Sequence, residues 1–408
     1  MKTKTLTKIT SLLILSLLLF SCTPQTPYLS EEESKTGSQN TSGKFEYYDN
    51  GDTSKGVKGN FSPIGVVDDN FLYTTLNTVY SGNCMRYDIR TGTIKNACAD
   101  PVCTHDSEKC PLYWIGGSIK FASNGIIGIG KTEGFGLQSV TNYCTYNTIN
   151  NKLCQIYNAS VGSSMYESDD YYYFADKLLK KGGDYNNKED YKNNLIRVRK
   201  RDLQSINLGE CNDIVAFADK DKIFFYTSTN RIYYTDIDMK NEVELVPPST
   251  VSIGQMSLYG DDLYYSATMR DENGVYYGST LNKINIITKY NSLIAEKLSE
   301  YTLTSNYIYY EPYTNEETGA FRIDEETVEK IPVIIHLTGE IFRCDHNGDE
   351  KILIYSNNDN YLGHMLIEGN YIFAWTYIID RKNEKFTDKI LDIACLDIHN
   401  KEWWYIKE

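Results

Sequence analysis

"MYESDDYYYFA", residues 165–175, holds a short apolar segment, an acidic turn and a run of aromatics in eleven positions. Strand-forming residues on either side of a tight polar turn read as a β-hairpin. The same pattern recurs as "GVVDDNFLYTT" (65–75), "KFASNGIIGIG" (120–130), "AFADKDKIFFY" (216–226), "SLYGDDLYYSA" (257–267), "TLTSNYIYYEP" (302–312) and "LIEGNYIFAWT" (366–376). A second hairpin follows each copy, from "MRYDIRTGTIK" (85–95) to "ACLDIHNKEWW" (394–404). Two hairpins make four antiparallel strands, and the first strands begin near Pro63, Ser118, Ser163, Ile214, Gln255, Glu300 and Gly363. Four-strand units repeating every roughly 40 to 60 residues cannot bury their faces alone and must pack against one another.

The expected fold is therefore all-β: a β-propeller over residues 44–408 with seven four-stranded blades. Six or eight blades stay open, because the second copy has lost its aromatics. A β-sandwich does not require one motif seven times. The 35 tyrosines are the compositional outlier, and in this reading they pack between blades. The outer strand that completes the ring is either "EWWYIKE" (402–408) or "KFEYYD" (44–49).

The N-terminus sets the compartment. Lys2, Lys4 and Lys8 precede an apolar run from Ile9 to Phe20, too short to span a hydrocarbon core and of the length of a secretory signal. It ends at Ser21-Cys22, which resembles a bacterial lipobox. Residues 1–21 are then a lipoprotein signal peptide and Cys22 the lipidated first residue; an ordinary signal peptide is the alternative. Residues 22–43, rich in Ser, Thr, Glu and Gly, read as a flexible tether. The expected location is extracytoplasmic, with the membrane as partner through the anchor. With 55 acids against 41 bases and no basic stripe, nucleic acid is excluded as a partner.

"CADPVCTHDSEKCPLY" (98–113) concentrates the chemistry. Cys98, Cys103, His105 and Cys110 make a donor set suited to tetrahedral zinc, whereas an exported protein favours disulfides. Cys84 with Cys98, and Cys144 with Cys154, are each symmetric about a hairpin turn and are disulfide candidates. Cys103 with Cys110 would then close the loop. Cys211, Cys344 and Cys395 read as buried thiols. A catalytic Cys/His pair is disfavoured, because neighbouring thiols would oxidise the nucleophile. No certain cofactor follows, only a structural zinc as one option.

"IYYTDID" (232–238), "LYYS" (263–266), "YIYY" (307–310) and "YIFAW" (371–375), with the segment from Cys98 through Asp100-Pro101 to His105 and a later Cys110-Pro111, carry a resemblance. The chain resembles propellers of the low-density-lipoprotein-receptor YWTD type and their relatives among bacterial surface lipoproteins. That resemblance implies the fold and hardly any function, and no calcium or receptor role is carried over from it.

In a four-strand blade the loops joining strands two to three, and strand four to the next blade, lie on one face. The insertions at 178–192 and 313–332 and the cysteine loop fall there, where recognition is usually placed. Binding-face candidates are Trp114, Lys180, Lys181, Tyr185, Tyr313, Arg322 and His105. The expected function is a non-catalytic binding or scaffold module for a protein, peptide or glycan. The alternative is a propeller enzyme acting on extracellular glycans, for which the innermost strands offer Glu167, His364 and Glu368. No catalytic residue is assigned.

Overall fold

The computed structural model describes residues 52–53, 56–59, 64–68, 70–75, 83–105, 109–113, 119–133, 139–160, 164–184, 187, 190–323, 330–357, 360–380 and 385–406. Every regular element among them is a strand. A short strand, β1 (Asp52–Thr53), precedes four discrete antiparallel sheets. The first holds β2 (Gly65–Asp68), β3 (Phe71–Thr75), β4 (Cys84–Asp88) and β5 (Thr93–Asn96). The second holds β6 (Ile119–Ser123), β7 (Ile126–Glu133), β8 (Val140–Asn147) and β9 (Lys152–Ser160). β10 (Ser164–Glu167), β11 (Tyr171–Leu179), β12 (Tyr191–Arg199) and β13 (Ser205–Glu210) form the third. β14 (Ile214–Asp219), β15 (Lys222–Tyr226), β16 (Ile232–Asp236) and β17 (Val243–Val246) form the fourth. In each, strand order follows chain order.

The rest of the chain is one thirteen-stranded sheet. Its strands are β18 (Ile253–Tyr259), β19 (Asp262–Arg270), β20 (Tyr276–Asn285), β21 (Asn291–Leu303), β22 (Ile308–Ile323) and β23 (Lys330–Leu337). They continue with β24 (Glu340–Cys344), β25 (Ile352–Ser356), β26 (Asn360–Gly369), β27 (Tyr371–Asp380), β28 (Lys385–Asp397) and β29 (Trp403–Ile406), and β1 joins at the edge. The pairing resolves into three meanders. β18 to β21 form one, the end of β21 with β22, β24 and β25 another, and β26 to β29 the third. β21 is long enough to end one meander and begin the next, which fuses those two, and a parallel contact of β22 with β28, Phe321 beside Lys385, joins the third to the same sheet.

The repeated turns have a common chemistry. Asp88, Asn147, Asp236, Asn285 and Asp397 each end a third strand and Asp345 directly follows one, and all six accept backbone N–H bonds from residues two to four positions on. Side-chain oxygens used this way imitate a backbone turn and favour chain reversal over continued strand.

The core lies between successive sheets. Tyr73, Ile127 and Tyr146 pack across the first and second, Tyr143 and Phe174 across the second and third, and Phe217, Phe224 and Tyr265 across the fourth and fifth units. Leu72 and Tyr87 of the first sheet pack on Phe373, Ile393 and Ile406 of the last meander, so the arrangement closes on itself. β29 supplies the outer strand there, which is the first of the two closures expected; residues 44–49 lie outside the described residues. β1 lies on the inner edge instead, pairing Thr53 with Glu368. Lys58 then exchanges two backbone hydrogen bonds with Leu258, 2.9 and 2.8 Å, on the inner strand β18.

Candidate metal centre

The loop that leaves β5 is held at both ends by one residue. The Cys84 carbonyl accepts the Ala97 N–H at 2.8 Å, and the Cys84 N–H donates to the Leu112 carbonyl at 3.2 Å. Asp100 shapes the first bend, its Oδ1 accepting from Val102 N–H at 3.0 Å and its carbonyl from Cys103 N–H at 3.2 Å. His105 adopts a left-handed backbone, φ 60°, and its carbonyl accepts from Asn83 Nδ2 at 2.6 Å.

These bends bring Cys98, Cys103, His105 and Cys110 together, their ligand atoms all within 4.8 Å of one another. His105 Nδ1 and Cys110 Sγ are 3.6 Å apart. A tetrahedral zinc with Zn–S of about 2.3 Å and Zn–N of about 2.0–2.1 Å sets that edge at about 3.6 Å. That edge matches a tetrahedral ion, and the four donors make a group that could hold a metal. Among the described residues it is the one such group. Cys98 and Cys110 are 4% and 1% exposed, while Cys103 and His105 are half-buried at the rim.

Burial pushes the Cys110 thiol up to about 12, with Cys103 and Cys98 contributing. Cys84, fully buried beneath, is also raised, by burial first and then by Cys110. Crowded sulfurs without a cation keep their protons, and a bound cation reverses that preference. A clamp from the next sheet backs the loop: Asn151 Oδ1 accepts from Ala99 N–H at 3.1 Å and from the Tyr146 hydroxyl at 2.7 Å. Asn151 was not legible as part of this site, since its signal in sequence is only that of a turn residue.

None of the nine described cysteines, all except Cys22, is joined in a disulfide. The symmetry argument for Cys144 and Cys154 misses by one residue, because Cys144 faces Gln155 and Cys154 faces Thr145. Cys84 likewise lies across from Ala97, not Cys98. Both turns contain an even number of residues, four between Asp88 and Thr93 and four between Asn147 and Lys152, so their centres fall between residues. A one-residue slip sends the two side chains to opposite faces. Cys103 and Cys110 are also unjoined, and both belong to the metal-type cluster. Cys344 and Cys395 are buried, as expected, and Cys211 is half-buried.

Of the binding-face candidates, Lys180 and Lys181 are exposed at the tip of the β11–β12 hairpin. Tyr313 lies on β22, its hydroxyl donating to the Tyr276 carbonyl at 3.1 Å and its ring stacked on His336. The 313–332 insertion is not a loop: β22 runs on past its neighbours and pairs with β23 as a projecting hairpin. Arg322 is in β22; its side chain, with Trp114, Tyr185 and Cys22, lies outside the described residues. Glu167 is bound to Lys200 at 2.5 Å. Glu368 is 5% exposed. His364 sits 3.7 Å from Glu300, a residue that was not singled out from sequence as a site.

No protein-family model matches the chain, and no curated protein sequence matches it. Among solved structures the chain is similar to a prolyl endopeptidase, at 8% identity and TM-score 0.53, over 87% of this chain and 49% of that one. It is similar to acylaminoacyl peptidase from Pyrococcus horikoshii, at 9% identity and TM-score 0.52, over 85% and 52%. The β-propeller domain of the Trilobed protease from Pyrococcus furiosus matches at 7% identity and TM-score 0.50, over 85% and 97%. The chain spans about half the length of the two peptidases and nearly all of the propeller domain. Together with the four-stranded sheets, this likeness defines the chain as a β-propeller.

Proposed function

We propose that the chain is a seven-bladed, lipid-anchored propeller outside the cytoplasm, acting as a non-catalytic binding or scaffold module for a protein, peptide or glycan. What supports the reading is connectivity: the cysteine loop leaves a fourth strand and the β11–β12 and β22–β23 hairpins leave second strands, so all three emerge at the same end of their antiparallel units. A structural zinc in the cysteine cluster stiffens that face; its ligands are Cys98, Cys103, His105 and Cys110. Of the acids available to an enzyme, Glu167 is engaged by Lys200 and Glu368 is buried, which favours binding over catalysis.

The test is metal analysis of the purified full chain, followed by capture of envelope components on immobilised protein with and without chelator. About one zinc per chain and capture lost on chelation support the reading. Capture that is absent in both states, with glycan cleavage abolished by Glu167→Gln or Glu368→Gln, supports the enzyme instead.

A further inference from the structure

Two glutamates face each other beside the last meander. Glu300 of β21 is the direct partner of Glu311 of β22, and opposed residues on antiparallel strands place Cβ atoms about 4.5–5.5 Å apart on one face. Glu311 is 0% exposed. Its Oε1 accepts from Gly339 N–H at 3.0 Å, while its Oε2 is buried with no hydrogen-bond partner among the described residues. Such an orphan in a folded core calls for a specific explanation.

Glu300 reaches across to β26. Its Oε1 accepts from Met365 N–H at 3.4 Å, and its Oε2 lies 3.7 Å from His364 Nδ1. The register of β26 slips between Gly363 and Leu366. Inside that bulge His364 has φ 58°, a left-handed conformation that a side chain as large as imidazole seldom adopts. Its ring packs edge-on against Trp375 at 4.8 Å. Thr302 Oγ1 donates to the Met365 carbonyl at 2.7 Å, a second tie over the same seam.

We propose that Glu300, Glu311 and His364 form a proton-operated latch on the seam between the β21–β22–β24–β25 meander and β26–β29, closed while the carboxyl pair holds a proton and loosened when it does not. The groups facing the pair are Thr302 on β21, the Thr338 and Gly339 backbone before β24, Tyr355 on β25, His364 and Met365 on β26, and Trp375 on β27. Of these only His364 can carry positive charge.

Burial raises both carboxyls, and the neighbouring Glu300 charge raises Glu311 further; backbone N–H groups, and for Glu300 also His364, oppose this in part. An acid raised in the folded state binds protons more tightly there than when the seam is open. The latch is therefore complete below the ordinary carboxylate value of about 4.3 and weakens as pH climbs toward the folded values, by up to about tenfold in the opening equilibrium per pH unit and proton. The seam lies at the root of the projecting β22–β23 hairpin, so the latch regulates the face proposed for recognition. Its biological meaning rests on that reading.

Hydrogen exchange of the full chain tests it, as protection factors for residues 300–311 and 360–368 at about pH 5 and about pH 8, where ordinary carboxylates are already ionised. The expected result is a tenfold or greater loss of protection at the higher pH, confined to these strands and absent from β6–β9. Glu311→Gln and Glu300→Gln, which imitate the protonated acids, should flatten the dependence, and either suffices if the other does not fold. Protection independent of pH in the parent, or both variants following the parent, would overturn the latch. Partner capture bears on the recognition reading alone, so the two fail separately.

Discussion

Replacing Asn151 tests whether the metal-type loop is held by the neighbouring sheet. The Asn151 amide oxygen receives two donors, the Ala99 N–H and the Tyr146 hydroxyl, and the residue sits at φ 56°. Asn151→Gly removes both bonds and keeps the backbone at ease. Two hydrogen bonds at about 1 kcal/mol each, with a further cost for the hydroxyl of a fully buried tyrosine, give a loss of about 2–3 kcal/mol. Asn151→Ala adds about 1 kcal/mol for a left-handed alanine, for about 3–4 kcal/mol in all. The assay is urea unfolding of the zinc-loaded protein, comparing midpoints at unchanged m. Competitive chelator titration runs alongside, where the loosened loop should also bind metal more weakly. An Asn151→Ala protein within about 0.5 kcal/mol of the parent would refute the clamp, and equal losses for Ala and Gly would refute the backbone contribution.

Cys98→Ser and Cys110→Ser should each lose zinc and make the melting temperature insensitive to chelator, as read by metal analysis and calorimetry; retention of a full zinc complement in both would remove the ligand assignment. Phe224 is 0% exposed and stacks on Phe217 at 4.7 Å. Phe224→Ala should cost about 3–5 kcal/mol in denaturant unfolding. Gly128→Ala places a methyl 2.1 Å from Phe121, whose ring stacks on Tyr172 of the next sheet; a loss of about 1–3 kcal/mol is expected. Gly182, at φ 80° with open space around its Cβ direction, serves as the control. Its alanine variant should lose only about 1 kcal/mol of backbone strain.

The hairpins were legible because each is local: apolar strand, polar turn, aromatic strand, with the partners nearest the turn only a few positions apart, as Glu167 and Tyr172 or Asp219 and Lys222 are. The expected first strands at Ser118, Ser163 and Ile214 lie within a residue of β6, β10 and β14. The cysteine cluster was legible for the same reason, since its four ligands come from one loop. Register was not. Whether Cys154 meets Cys144 or Thr145 depends on one residue in a turn, and side-chain symmetry is blind to a centre that falls between residues. The Glu300–Glu311 pair lies in the regular part of the β21–β22 hairpin, before the register shifts toward Leu298; what no local pattern encodes is the burial of its acids against β26 and the backbone before β24. The extension of β22 beyond Pro312 reads as a loop in sequence because its polar, acidic composition satisfies no core; pairing with β23 needs only backbone groups.

The chain enters the ring at its hub. Thr53 meets β26 beside the Gly369 turn, and Lys58 meets β18 beside the Tyr259 turn, both at the end opposite the cysteine loop. For a propeller suspended from Cys22 in the manner proposed, a pull along the tether arrives near the axis and is shared by two non-adjacent meanders. Tension then squares the disc to its support instead of tipping it by the rim. On that proposal, a taut tether leaves the cysteine-bearing side looking outward.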